Sequence, residues 1–457
     1  VPRFTAESEL PASAEAVFRW HARPGALQRL LPPWQRVRIE RAGGVEEGET
    51  VILRAGPGPL ALRWVARHGA VEPGCAFRDE QVSGPFARWI HEHRFLDREG
   101  GGSLVRDEVD WELPFARLSH PLAGRRVERA LARMFRFRHL RTRQDLERHA
   151  AAPDRSLRIA VTGASGLVGT QLCAFLRTGG HRVFPLVRRA AAPGTDEIRW
   201  DPTRGTIDAT ALEGMDAVVH LAGESIAGRR WTEAKKRAIR ESRVEGTRLL
   251  CEALARLGRP PGVLISSSAV GFYGSDRGDE ALDEKGAPGS DFLARVCIDW
   301  EAATAPAAEA GVRVVHLRTG VVLTAAGGVL AQMLPPFRLG LGGPVGSGRQ
   351  VISWIALDDL LGAIHFLLWQ GDASGPVNAV APAPASSREL ARQLGRVLRR
   401  PAALPLPAAV VRLVLGEMGE TLLLGGARVL PERLRALGFP FLFGDLESAL
   451  RFELGAV

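Results

Sequence analysis

A chain of 457 residues, 46% hydrophobic and 24% charged, can bury more than one core and exceeds the usual size of a single domain. Its net charge of +9 is spread along the sequence, with lysine only at Lys235, Lys236 and Lys285, so no basic block argues for a nucleic-acid partner. The longest apolar stretch, 360–369, is too short to span a membrane and is interrupted by His365, and no signal-like segment opens the sequence, so a cytoplasmic protein is expected.

Residues 1–150 read as an α+β unit. The stretch 4–10 alternates as a strand, 13–20 begins a helix, and strand-like runs follow at 50–55, 60–67, 89–95 and 103–113. An amphipathic stretch, 127–149, closes the unit, with Leu131, Met134, Phe135, Phe137, Leu140 and Leu146 near helical spacing. His91 and His93 stand at i and i+2 of one strand and so share a face. A metal site needs a third ligand, which the sequence does not nominate, and no metal is expected. The cysteines Cys75, Cys173, Cys251 and Cys297 share no metal-like spacing and read as unpaired thiols.

A small, polar, proline-bearing link at 149–157 separates this unit from a second domain, 157–457. Apolar strands at 157–162, 182–187, 216–221, 262–267 and 312–318 alternate with helical stretches, the pattern of a doubly wound parallel sheet of Rossmann type. The Gly- and Pro-rich sequence from about 323 is expected to form a smaller C-terminal lobe closing over the site.

The motif Thr162-Gly-Ala-Ser-Gly-Leu-Val-Gly169 follows the first of these strands and opens a helix. Gly163 suits a tight turn, Gly166 the approach of a pyrophosphate, and Gly169 close packing of the helix. Ser165, Leu167 and Val168 complete a helix N-terminus that can meet phosphate with its free amides. The second strand ends in Arg188-Arg189 where NAD-specific sites carry an acid, and a guanidinium suits a ribose 2′-phosphate. The expected cofactor is NADP(H).

Further motifs carry a resemblance. His220-Leu-Ala-Gly223, Ser266-Ser-Ser-Ala-Val-Gly-Phe-Tyr-Gly274 and Trp354-Ile-Ala-Leu-Asp-Asp359 resemble extended short-chain dehydrogenases. Trp200-Asp-Pro202, Arg229-Arg-Trp-Thr232, Ser242-Arg-Val244, 342–350, Pro376-Val-Asn378 and a tail with Leu415-Gly-Glu417 resemble their atypical, epimerase-like branch. Residues 1–150 resemble the START-like polyketide cyclase/dehydratase family, a helix-grip fold, through the aromatic segments 18–34 and 84–93. That resemblance implies an apolar cavity between helix and sheet and an apolar ligand. For the second domain the resemblance implies cofactor contacts from Trp200, Asp201, Leu221, Ala222, Gly223, Ser266 and Arg318.

Ordinary members use a Tyr-x-x-x-Lys pair, the lysine lowering the tyrosine pKa. The single tyrosine here is Tyr273, and the residue four along is Arg277, so the pair is absent. Arg243 stands where relatives have an active-site asparagine. Ser267 or Ser268, Tyr273 approaching from its loop, and Arg243 are the expected catalytic groups, with Arg230, Lys235 and Arg349 as positive charge toward an anionic small-molecule substrate. The expected function is an NADP(H)-dependent oxidoreductase or epimerase. The alternative is a non-catalytic NADPH-binding module coupled to an apolar ligand in the N-terminal domain.

Overall fold

The odd-numbered residues of Ser103–Glu112 are buried and the even-numbered ones are not, the signature of a strand with one covered face. In the computed structural model, which describes residues 1–228 and 230–456 apart from the side chain of Leu118, this strand is β7 of a seven-stranded antiparallel sheet. The others are β1 (Arg3–Leu10), β2 (Val37–Arg41), β3 (Thr50–Ala55), β4 (Leu62–Glu72), β5 (Ala76–Ser83) and β6 (Arg88–Asp97), in the order β1-β7-β6-β5-β4-β3-β2. Two helices, α1 (Ala14–Ala22) and α2 (Ala26–Leu30), follow β1, and α3 (Ala116–Ala150) closes the layer. Ser13 caps α1 by accepting from Ala16 N. Val17, Trp20, Phe77, Phe95 and Leu146 form one core cluster, and Trp89, Val109, Trp111, Leu131 and Phe135 another. This is the expected helix-grip layout.

Two strands escaped the sequence reading, β2 and β5. The first is a largely exposed edge strand; the second carries Arg78, Asp79 and Glu80, so its hydrophobic alternation is hidden. Helix α3 also starts earlier than the expected 127, because its first turns are largely exposed and carry no apolar stripe. The cavity here has a volume of about 10 Å³, room for about one water. Leu10, Val105 and Phe135 line it, but so do His21, Asp107 and Arg138. This cavity is therefore small and of mixed lining.

This unit comprises Val1–Asp154, Ala174–Gly180 and residues 452–456. Within it Phe452 packs on Phe137 with ring centres 5.1 Å apart, and Arg133 donates to the carbonyls of Leu454 and Gly455.

The other unit, Arg155–Cys173 with His181–Arg451, holds an eight-stranded sheet. Its strands are β8 (Arg158–Thr162), β9 (Arg182–Val187), β10 (Ile198–Asp201), β11 (Thr206–Ile207), β12 (Ala217–His220), β13 (Val263–Ala269), then, after β14 (Asp276–Leu282), β15 (Arg313–Thr319), and finally Gly375–Ala379. The order is β11-β10-β9-β8-β12-β13-β15 followed by Gly375–Ala379, parallel throughout except for β11. Strand β12 is buried along its whole length, as a central parallel strand must be. The helices that matter for the site are α4 (Leu167–Thr178), α5 (Glu233–Ala255) and α6 (Phe292–Ala302). Beyond residue 323 the chain forms short strand pairs and helices, and β14 pairs with Gly426–Val429. The doubly wound sheet is as expected, and its order reverses between β8 and β12, where such folds bind ligands. Among the described residues no helix is long and apolar enough to cross a membrane. None of the four cysteines is in a disulfide; Cys75 is exposed and the other three are buried.

Candidate functional site

The turn from β8 into α4 is shaped by glycine. Gly163 has φ +65°, and a Cβ there would lie 2.8 Å from the Leu221 carbonyl carbon. Its own carbonyl accepts from Gly166 N at 2.9 Å, and a Cβ on Gly169 would lie 2.1 Å from that oxygen. No side chain fits at either position. Ser165, Gly166 and Leu167 are exposed at the start of α4, whose first helical bond runs from Thr170 N to Gly166 O. The amides of Leu167 and Val168 are thereby left without helical partners at the positive end of a 12-residue helix. This cradle fits a pyrophosphate.

A buried relay fixes the facing loop. Thr162 Oγ1 accepts from Leu221 N at 3.0 Å and Ala222 N at 3.1 Å, so its own proton goes to His220 Nδ1, 2.7 Å away. The ring proton of His220 then sits on Nε2 and is donated to Thr247 Oγ1 at 2.9 Å, which also accepts from Trp300 Nε1 at 2.9 Å. Burial lowers the His220 pKa to about 4, which keeps the ring neutral. Leu221 to Gly223 are thus held beside the turn from the first strand.

At the end of β9 the two arginines part company. Arg189 grips Glu197 with both Nη atoms, at 2.8 and 2.5 Å, whereas Arg188 is exposed and has no hydrogen-bonded partner among the described residues. Of the two arginines expected at the 2′-phosphate, Arg189 is thus held by Glu197 and Arg188 is not. Trp200 is a core residue, 3% exposed and packed with Leu186, Ile198 and Leu250. Asp201 is turned to its own loop, accepting from Thr203 Oγ1 at 2.6 Å and Thr203 N at 3.1 Å.

Two of the expected catalytic groups, Ser268 and Tyr273, lie in a second polar cluster. Ser268 Oγ donates to Glu301 Oε1 at 2.7 Å, and Arg318 clasps the same carboxylate through Nε and Nη2 at 2.8 and 2.9 Å. Arg318 Nη1 donates to Tyr273 OH at 3.0 Å, and that hydroxyl donates to Asn378 Oδ1 at 2.8 Å. Tyr273 has no exposed surface, and burial raises its pKa further. The picture of Tyr273 reaching a substrate from its loop is corrected: the side chain turns inward and both sides of its hydroxyl are engaged. Arg318, expected at the cofactor, lies with its guanidinium 3.4 Å from the centre of the Phe272 ring and is only 4% exposed. Ser266 is buried, while Ser267 is half-buried with no side-chain hydrogen bond to a described residue.

Arg243, half-buried on α5, donates through Nη1 to Glu224 O at 2.9 Å and Ile239 O at 3.1 Å, with its guanidinium 5.1 Å from the Trp300 ring centre. Burial lowers its pKa. A Cβ on Gly223 would meet that guanidinium at 3.2 Å, so Arg243 lies against the loop beside the phosphate turn. Lys235 pairs with Glu224 at 2.6 Å, Arg230 donates to Leu413 O at 2.9 Å, and Arg349 is exposed. Arg229 lies outside the described residues. Sequence reasoning missed Glu301 and Asn378. Glu301 shares α6 with the charged Arg295 and Asp299, so nothing in the sequence set it apart.

Residues 159–380 match the NAD dependent epimerase/dehydratase family, 406–453 a domain of unknown function (DUF1731), and 10–137 the family described as polyketide cyclase / dehydrase and lipid transport. An epimerase family protein of Mycobacterium bovis is 45% identical over 294 residues, 64% of this chain and 96% of that protein. The human epimerase family protein SDR39U1, whose isoform 2 has been crystallised with NADPH, is similar at 37% identity with a TM-score of 0.60, over 65% of this chain and 98% of that one. The crystal structure of a nucleoside-diphosphate sugar epimerase from Corynebacterium glutamicum is similar over 99% of this chain and 90% of that chain, at 36% identity and a TM-score of 0.81.

Proposed function

The chain belongs to the NAD dependent epimerase/dehydratase family, and from that premise we propose that its second unit binds NADP(H) and acts as an oxidoreductase or epimerase on a small anionic substrate without a Tyr-x-x-x-Lys pair. The observation that carries this is the glycine cradle with the free amides of Leu167 and Val168, beside a sheet whose order reverses at β8 and β12. When bound, the cofactor supplies or accepts a hydride.

Ser165, Gly166, Leu167 and Val168 hold the pyrophosphate, and Leu221 to Gly223 flank it. Arg188 recognises the ribose 2′-phosphate. Arg189 neutralises Glu197, whose carboxylate would otherwise repel that phosphate. Trp200 and Asp201 shape the adenine side by fixing the end of β10. Ser268, Arg318 and Tyr273 act as positioning residues that lock the ends of β13 and β15. The substrate faces Ser267 and the positive charge of Arg243. Calorimetric titration with NADPH and NADP⁺ tests the first step, and absence of binding at millimolar concentration would end the proposal. A carbonyl library assayed for NADPH oxidation tests the second.

The engagement of both the Ser268 and the Tyr273 hydroxyls favours one other reading, a non-catalytic NADPH-binding module. Cofactor binding without turnover across that library selects it. The match of residues 10–137 to the family described as polyketide cyclase / dehydrase and lipid transport supports an apolar ligand for the N-terminal unit.

A further inference from the structure

The strand register of the first unit gathers imidazoles and carboxylates on one face of its sheet. Asp79 on β5 stands opposite His91 on β6, and His93, two places along, stands opposite Asp107 on β7. His91, His93 and Asp107 are buried, and Asp79 is nearly so. Neither carboxylate has a Lys or Arg ion pair among the described residues; every recorded partner is an imidazole. Two carboxylates in such a place need positive charge close by.

We propose that Asp79, His91 and His93 form a mononuclear site for a divalent transition-metal ion of the zinc class, with Asp107 as its supporting carboxylate. The donor atoms of the three residues lie within 4.8 Å of one another. Asp79 Oδ2 is 3.1 Å from His91 Nδ1 and 3.6 Å from His93 Nε2. Donors about 2.0–2.2 Å from a common tetrahedral ion stand roughly 3.3–3.5 Å apart, close to both of the Asp79 distances.

The far sides of the rings supply a second, independent argument. His91 Nε2 lies 2.8 Å from Asp107 Oδ1, and His93 Nδ1 lies 2.7 Å from the same oxygen, though at an angle too poor for a hydrogen bond. A carboxylate hydrogen-bonded to the outer nitrogen of a ligating histidine is how proteins orient imidazoles on zinc, and Asp107 gives His91 that partner while standing close behind His93. The other oxygen of Asp107 is held by His139 Nε2 at 2.5 Å, and His139 Nδ1 is 2.9 Å from Ser8 Oγ, so the support reaches to α3 and β1. Three protein donors of mixed nitrogen and oxygen type leave a coordination position for water or an anionic ligand. The inference concerns the first unit and is independent of the NADP(H) reading.

The test uses the full chain without a histidine tag, stripped by a chelator and dialysed against Zn²⁺ or Mg²⁺. One equivalent of Zn²⁺ per chain and no Mg²⁺ are expected, and Co²⁺ should develop a visible absorption band on binding. Asp79→Asn, close in size to the parent, should weaken Zn²⁺ at least 100-fold, and Asp107→Asn by about 10–100-fold, with the far-UV circular dichroism of both unchanged. Should a variant unfold, the stripped wild type still decides by its Zn²⁺ stoichiometry and by its rise in melting temperature on adding the ion. Less than one equivalent, equal uptake of Mg²⁺, or an Asp79→Asn chain that binds Zn²⁺ like the parent overturns the proposal.

Discussion

At Gly169 a single hydrogen separates an open phosphate turn from a blocked one. A Cβ there would sit 2.1 Å from the Gly163 carbonyl oxygen, which is backbone and cannot swing aside. Gly169→Ala should therefore destabilise the chain by roughly 1–3 kcal/mol in urea melts and weaken NADPH in a fluorescence titration. Arg188→Glu should weaken NADPH more than tenfold and leave NADH little changed, since only the former carries the 2′-phosphate. Tyr273→Phe strips a partner from both Asn378 and Arg318 in a buried cluster, a loss of about 1–3 kcal/mol by chemical denaturation. The His220 relay predicts a pH effect. The folded pKa is lowered to about 4 from an ordinary 6.5, so the unfolded chain binds the extra proton first as pH falls. Stability is full above about pH 6.5 and declines toward pH 4, by up to roughly 3 kcal/mol from this group; melts of His220→Gln should show a shallower decline. The glycines were legible because a backbone constraint names its residue. The inward turn of Tyr273 was not, since only tertiary contacts decide which way a loop side chain faces.

Among the elements, α2 and α3 are joined by Arg29 and Asp145, which are 1% and 2% exposed and meet through two bonds of 2.8 and 2.7 Å. Replacing one partner leaves a charge buried, so Asp145→Ala should cost about 3–5 kcal/mol in equilibrium unfolding. Periodic apolar strands such as β8, β12 and β13 were read within one or two residues of their ends, because a buried parallel strand is a short apolar run. Strand β5 was invisible for the opposite reason. It turns Asp79 inward, so the residues that make its face chemically interesting erase the alternation that identifies a strand. The same substitution of polar for apolar concealed the third member of the histidine cluster, leaving His91 and His93 without a visible companion.

For the molecule as a whole, NADPH at a hundred times its dissociation constant should stabilise the chain by about 2.7 kcal/mol, read in calorimetry as a raised melting transition. The first unit draws on residues 452–456, where Phe452 meets Phe137 and Arg133 reaches the carbonyls of Leu454 and Gly455. A ribosome delivers residues 1–154 long before those last ones emerge. The first unit therefore waits for its last segment while some three hundred intervening residues are translated. Its final consolidation thus follows synthesis of the second unit, and removal of residues 452–456 should show first as lost protease resistance near α3.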